Sequence, residues 1–478
     1  MTDVRSQLAR AFNPRAVAVV GDKRAIGYMW LESLRTFQGP VYSVQIDPAE
    51  IEGIKALGFP NYLRLQDIPG PVDYVMASVP RQVAPRIVVD CAEKGVAAVA
   101  FFTSGFAETG EEEGLRLQRE MGDIARRNGL LIVGPNCVGL YNARLGLRNS
   151  PEQTVGEGGK VAFISQSGTH CINFTLLGPQ EGVPCAKAAS IGNAEVLDVP
   201  DYLDYFLHDP EVEVIAMYVE GVRDGRRFFS LLREATRRKP VVVWKGGMTE
   251  AGARAAFSHT ASLATAPDVW RAAMRQAGAI EVDSLEEALD VCKALLLMPP
   301  TTGRRMGLVA MTGGQSVVIT DAFQREGLDV PLLSPRSYEK LSSFFTVIGG
   351  SYRNPLDAGW TVAMGLSMPQ VERLLSVLAD DENIDLLVFE VGTNFLVRRL
   401  RENPQLAEVV AQSLASFREQ CPKPLAAVVH PSHLPELGAL VRQKMVERGI
   451  PVFPDFRRAA KAIARAIGYW RFLKGVDG

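Results

Sequence analysis

Short apolar runs of strand length recur along this chain, most of them followed by a turn and an amphipathic helical stretch. A buried parallel strand is apolar on both faces, so this alternation dictates an α/β fold with doubly wound sheets rather than a sandwich or a bundle. In the first third the runs predict strands at 16–20, 41–46, 74–79, 97–102 and 130–133, with helices over 81–94 and 111–127. They resume as strands 161–164, 214–219 and 241–245, with helices over 168–177, 225–238 and 266–276. A last set predicts strands 306–311, 386–389 and 424–429 and helices 316–326 and 457–473. Looser stretches at 142–160 and 298–303 read as boundaries and divide the chain into 1–147, 148–299 and 300–478.

Three domains suit 478 residues at about 100–200 residues each. The balance of 52 Lys and Arg against 54 Asp and Glu argues against a nucleic-acid partner, because binding a phosphate backbone needs a surplus of cations. Six scattered cysteines without a CxxC pair read as reduced thiols of a cytoplasmic protein and offer no metal-ligand spacing. No apolar run reaches membrane-spanning length, and the first residues lack the order of a signal peptide, so neither a membrane nor a secretory route is expected.

In open parallel sheets ligands sit beyond the carboxyl ends of the strands, so the loops there carry the chemistry. The first strand runs into Gly21-Asp22-Lys23-Arg24, a short turn with two cations suited to a phosphate, although it is not the GxGxxG of a dinucleotide site. Val79-Pro80, Ser104-Gly105-Phe106-Ala107-Glu108 and Gly134-Pro135-Asn136-Cys137 follow later strands on the same rim, where one ligand can touch all four loops. No general base stands near Cys137 in the sequence, so its thiol reads as structural rather than nucleophilic.

The second domain opens with Ser165-Gln166-Ser167-Gly168, a strand passing into a helix whose amides would face an anion. Glu220 follows another strand, and by itself is equally a solvated turn residue. His259 sits in a run of small residues, 251–264, in a chain with five histidines. A lone histidine is more often a hydrogen-bonded residue than a catalyst, yet imidazole can accept and release a phosphoryl group near neutral pH.

Taken together, these blocks, with Glu220 through Phe228, Ser258-His259-Thr260, Thr312-Gly313-Gly314 and Asn354-Pro355-Leu356-Asp357, resemble the α subunit of NDP-forming acyl-CoA synthetases, relatives of succinyl-CoA ligases. The resemblance spans nearly the whole chain in order and spacing. It implies a Rossmann-like CoA-binding domain followed by two flavodoxin-like domains, and an ADP-forming acid–CoA ligase. Gly21, Lys23, Arg24, Val79, Pro80, Ser104, Gly105, Asn136 and Cys137 would then contact coenzyme A. His259 would carry the phosphoryl group, Glu220 would orient it, and Ser165, Gln166, Ser167, Gly168, Gly313 and Gly314 would hold phosphate. An ATP-grasp β subunit would supply ATP or ADP with Mg²⁺ in an α2β2-type assembly. The carboxylic acid, CoA and phosphate would be the other ligands, and this chain itself would hold no metal.

Some positions depart from that pattern. Ala261 and Thr265 stand where glycines are usual, Asp22-Lys23 replaces a small pair, and Asp47-Pro48-Ala49 lacks a cation expected near CoA phosphates. Two further readings therefore stay open: a CoA-dependent acyltransferase or CoA-transferase working without phosphohistidine, and a non-catalytic CoA-binding subunit.

Overall fold

A computed structural model describes residues 3–260, 266–361, 368–431 and 434–476, excluding the side chains of 257–260, 394 and 395. The chain forms two compact units, one of residues 1–179 and 183–288 and one of 180–182 and 289–478. Ala261 and Thr265 lie outside the described residues. Among the described residues, no helix is long and apolar enough to cross a membrane.

The first unit contains two sheets. Strands β1 (Val17–Val20), β2 (Val41–Val44), β3 (Asn61–Tyr62), β4 (Tyr74–Ala77), β5 (Ala98–Phe101) and β6 (Leu131–Val133) pair in the order β3-β2-β1-β4-β5-β6. All of these pairs are parallel, which is the strand order of a Rossmann sheet. β1, β4, β5 and β6 are buried along their whole length, as a sheet covered on both faces requires. Helices complete the layers. Helix Glu112–Asn128 begins with Glu112 and Glu113, ends with Arg126 and Arg127, and stops at Gly129 with φ 63°. That charge order complements the helix dipole, and the glycine supplies the left-handed C-cap.

The second sheet uses β7 (Gly139–Asn142), β8 (Val161–Ser165), β9 (Cys185–Ser190), β10 (Val214–Val219), β11 (Val241–Lys245) and β12 (Ile280–Val282), ordered β12-β11-β10-β8-β9-β7. Its parallel part has flavodoxin-like order, while β7 pairs antiparallel with β9 at the edge. Because β7 follows directly on the last rim loop of the first sheet, the chain enters the second sheet before the boundary expected at 147/148. The second unit carries β13 (Met306–Ala310), β14 (Leu356–Asp357), β15 (Leu386–Glu390), β16 (Leu425–Val428) and β17 (Val452–Phe453), ordered β14-β13-β15-β16-β17. All of its pairs are parallel, and the order is again flavodoxin-like.

The base of the first sheet is held by one buried acid. Asp73, just before β4, is 1% exposed and accepts from Arg15 Nε at 2.7 Å, Arg15 Nη2 at 2.8 Å, the Arg15 backbone N–H at 3.0 Å and Arg10 Nη2 at 2.7 Å. Although burial opposes its charge, the hydrogen bonds from Arg15 and Arg10 hold the carboxyl well below the usual carboxylate range. A depressed pKa means that the folded state binds fewer protons. The stabilisation is therefore fully present above about pH 4 and is lost as pH falls below that. Asp73→Ala is expected to cost about 1.5–3 kcal/mol, the scale for removing hydrogen bonds to a charged group, because the arginines it leaves behind are largely exposed. Urea denaturation of both proteins at pH 7 checks this, and the gap should narrow at pH 3.

Candidate active site

Each of the three sheets has a topological switch point, between β1 and β4, β8 and β10, and β13 and β15, and candidate residues lie at all three. In the first sheet Gly21 leaves β1 with φ 80°, and a Cβ there would stand 2.6 Å from Ser78 O and 2.8 Å from Val79 Cγ1. Only glycine accommodates both the angle and the approach. Asp22 is fully buried, and its carboxyl accepts the N–H groups of Lys23 at 3.0 Å and Leu31 at 2.9 Å. Burial raises its pKa to about 6. With Asp22 drawn inward, Lys23 and Arg24 remain exposed at the mouth of the turn.

The neighbouring loops are braced against one another. Thr103 Oγ1 donates to Val79 O at 2.6 Å, fixing the Val79-Pro80 turn. Glu108 accepts from the Gly105 and Phe106 amides, so the Ser104-Gly105 loop curls around its own glutamate. Asn136 has φ 58°. Cys137 is buried, its Sγ faces Val133 O at 3.4 Å, and burial pushes its pKa up to about 12. It is a packed thiol and not a nucleophile.

The second sheet meets this rim through the turn after β9. The Asn193 and Glu195 amides donate to Pro135 O at 3.0 Å and Gly134 O at 2.9 Å. Asn193 Nδ2 donates to Glu108 Oε2 at 2.5 Å. A Cβ on Gly192 would stand 2.2 Å from Pro135 O, so a side chain there would part the two rims.

At the switch point of the second sheet, Ser165-Gln166-Ser167 turns into helix Gly168–Gln180. Ser167 Oγ accepts from His170 N at 3.3 Å and caps that helix. Gln166 Oε1 accepts the amides of Glu220 and Gly221, fastening this turn to the end of β10. Glu220 is 3% exposed; Tyr218 Oη donates to its Oε1 at 3.0 Å, and Lys245 Nζ donates to its backbone O at 2.8 Å. Burial lowers the Lys245 pKa, while Glu220 opposes the shift. The rings of His170, Tyr218 and Trp244 pack together with centroids 4.4–4.6 Å apart. Glu220 is thus a held carboxylate rather than a solvated turn residue. Its partner Tyr218 was legible only as the residue two positions back, on the same side of an extended chain.

His259 belongs to helix Glu250–Thr260, and its side chain lies outside the described ones. That helix packs against the turn Ala107–Thr109, beside the Ser104–Glu108 loop. In the second unit, Thr312 caps helix Gly313–Arg325 by accepting from Gln315 N at 3.4 Å, which puts Gly313 and Gly314 in its first turn. Among the described residues, no group of three or more His, Cys, Asp or Glu could hold a metal ion.

Comparison with known proteins agrees with this layout. Residues 15–143 match a CoA binding domain and residues 158–295 a succinyl-CoA ligase-like flavodoxin domain. The chain is 36% identical over 381 residues to acetate–CoA ligase (ADP-forming) II subunit alpha of Pyrococcus furiosus, covering 79% of this chain and 80% of the relative. It is 33% identical to the I subunit alpha of the same organism, with 96% of each chain covered. Among solved structures, acetyl-coenzyme A synthetase 1 of Ca. Korarchaeum cryptofilum, in complex with phosphate and ADP, superposes with a TM-score of 0.82 at 29% identity, covering 100% of this chain and 99% of that one.

The crowding at Gly21 gives a direct test of the first rim. Gly21→Val must displace Ser78 or Val79 and is expected to abolish CoA binding in isothermal titration calorimetry, with the circular dichroism spectrum retained.

Proposed function

We propose a mechanism that starts from kinship: this chain belongs to the family of ADP-forming acetate–CoA ligase α subunits. It interconverts a carboxylic acid, CoA and ATP with acyl-CoA, ADP and phosphate, and it does so together with a partner subunit. The observation that carries the reading is the held carboxylate of Glu220 beside a capped helix start, in a unit whose rims are stitched together and whose CoA-type rim supports the histidine-bearing helix.

A carboxylate is a poor acyl donor, so it is first converted to an acyl phosphate, whose phosphate the CoA thiol then displaces at the carbonyl carbon. His259 relays the phosphoryl group by accepting it on one ring nitrogen, which splits one difficult transfer into two. Glu220 accepts a hydrogen bond from the other ring nitrogen, fixing the tautomer and balancing charge on the imidazole. Tyr218 keeps the Glu220 carboxylate aimed. The amides at the starts of helices Gly168–Gln180 and Gly313–Arg325 stabilise phosphoryl oxygens without competing for protons. Ser165, Ser167, Gly168, Gly313 and Gly314 shape those two starts, and Gln166 acts by tying the first of them to Glu220.

CoA binding is assigned to domain 1–147, with Gly21, Lys23, Arg24, Val79, Pro80, Ser104, Gly105, Asn136 and Cys137 forming its rim. The phosphohistidine is assigned to domain 148–299 and the remaining ligase functions to 300–478. The nucleotide and its Mg²⁺ are assigned to an ATP-grasp β subunit in an α2β2-type assembly. Cysteines without disulfides among the described residues suit a cytoplasmic setting.

Radiolabelled ATP tests the relay. Label is expected on this chain only when the β partner is present, and none on His259→Ala. Labelling without a partner, or undiminished labelling of His259→Ala, would overturn the assignment. Tyr218→Phe keeps the ring packing but removes a hydrogen bond to a charged group, worth about 1.5–3 kcal/mol. Steady-state turnover is expected to fall at least about tenfold, with the KM for CoA unchanged.

A further inference from the structure

At the switch point of the third sheet, the first turn of helix Gly313–Arg325 presents amides suited to an anion, and the fold has placed a carboxyl beside them. A Cβ on Gly313 would stand 3.1 Å from Asp357 Oδ2, so the absent side chain is what lets Asp357 lie against the helix start. Asp357 is 9% exposed. The Gly359 amide hydrogen-bonds its carboxyl, yet its buried Oδ1 has no hydrogen-bond partner among the described residues. A carboxylate oxygen left this way loses its hydration without recompense, which marks it as an atom awaiting a partner.

The described groups facing Asp357 supply no compensating charge. Glu390 ends β15, accepts from Met311 N at 2.8 Å and stands 3.8 Å from His430 Nε2. The Gln315 side-chain amide lies 2.8 Å from that same nitrogen. Burial lowers the His430 pKa, against the opposing charge of Asp455. Burial raises the pKa of both Asp357 and Glu390, and Asp357 adds to the rise at Glu390. A phosphoryl dianion entering here would meet a second anion at contact distance, a strongly repulsive arrangement away from bulk water.

We propose that Asp357 and the first-turn amides of helix Gly313–Arg325 form one proton-linked phosphoryl site, in which the Asp357 carboxylate takes up a proton as the phosphoryl group binds and donates it in a hydrogen bond to a phosphoryl oxygen. The proton comes from solvent, and no bond to phosphorus is made or broken. Protonation removes the repulsion and makes the carboxyl a donor. This rests on reading Gly313 and Gly314 as phosphate-binding, and adds that the site is switched by the charge on Asp357.

Titration calorimetry of the whole chain with inorganic phosphate at pH 7, in two buffers of different ionisation enthalpy, tests it. The wild type should show buffer-dependent heat from proton uptake. Asp357→Asn, neutral and of the same shape, should bind phosphate about tenfold more tightly, the equivalent of one pKa unit, with the proton uptake reduced. Asp357→Ser provides the same comparison if the asparagine variant does not fold. Unchanged or weaker binding with the same proton uptake in a folded variant would overturn the proton link and leave the phosphate reading standing. Absence of phosphate binding by the wild type and both variants would overturn the phosphate reading itself.

Discussion

The two rims of the first unit face one another because backbone meets backbone. The Asn193 and Glu195 amides bind the carbonyls of Pro135 and Gly134, and Gly192 lets the strands of chain approach closely enough for this. Backbone groups buried at such a junction must be paired, and here each rim satisfies the other. A loop suited to CoA and a carboxylate suited to an imidazole are thereby held in one body, so a ligand bound on the first rim meets a preformed second rim. Orientation of this kind removes entropy from a two-substrate reaction before chemistry begins.

The same economy operates at shorter range around Glu220. Gln166 satisfies two successive amides with one oxygen, Tyr218 directs the carboxylate, and Lys245 holds the Glu220 backbone carbonyl from behind. None of these residues needs to touch a substrate to matter. Their effect is to leave Glu220 with one orientation, which is the condition for holding an imidazole in a single tautomer.

Much of this was legible in the chain before the structure. Strands covered on both faces announce themselves as apolar runs, and residues at or just beyond their ends, such as Gly21, Ser165 and Glu220, fall at the rims by topology alone. β9 of the second sheet did not announce itself. β9 carries Lys187, which is tolerated there only because Asp209 and Glu211 lie 2.6 Å from its Nζ, a compensation invisible along the sequence. Likewise, the helix predicted from 316 begins at Gly313, because the Thr312 cap and the tertiary setting outweigh the low helix propensity of two glycines. The ring cluster of His170, Tyr218 and Trp244 draws on three separate elements, so no local pattern could reveal it.

β7 connects sheets in a way that bears on how this molecule can be divided. It follows the Gly134–Cys137 loop without a linker and closes the open side of β9. A fragment that starts at 148 would leave β9 with a bare row of backbone donors and acceptors, the kind of edge that recruits other chains into aggregates. Recombination or cutting between the two sheets is therefore constrained to points before Gly139, and such a cut would pass through the loop that stitches the two rims. The two halves of this unit are topologically distinct sheets, yet they must be inherited as one piece.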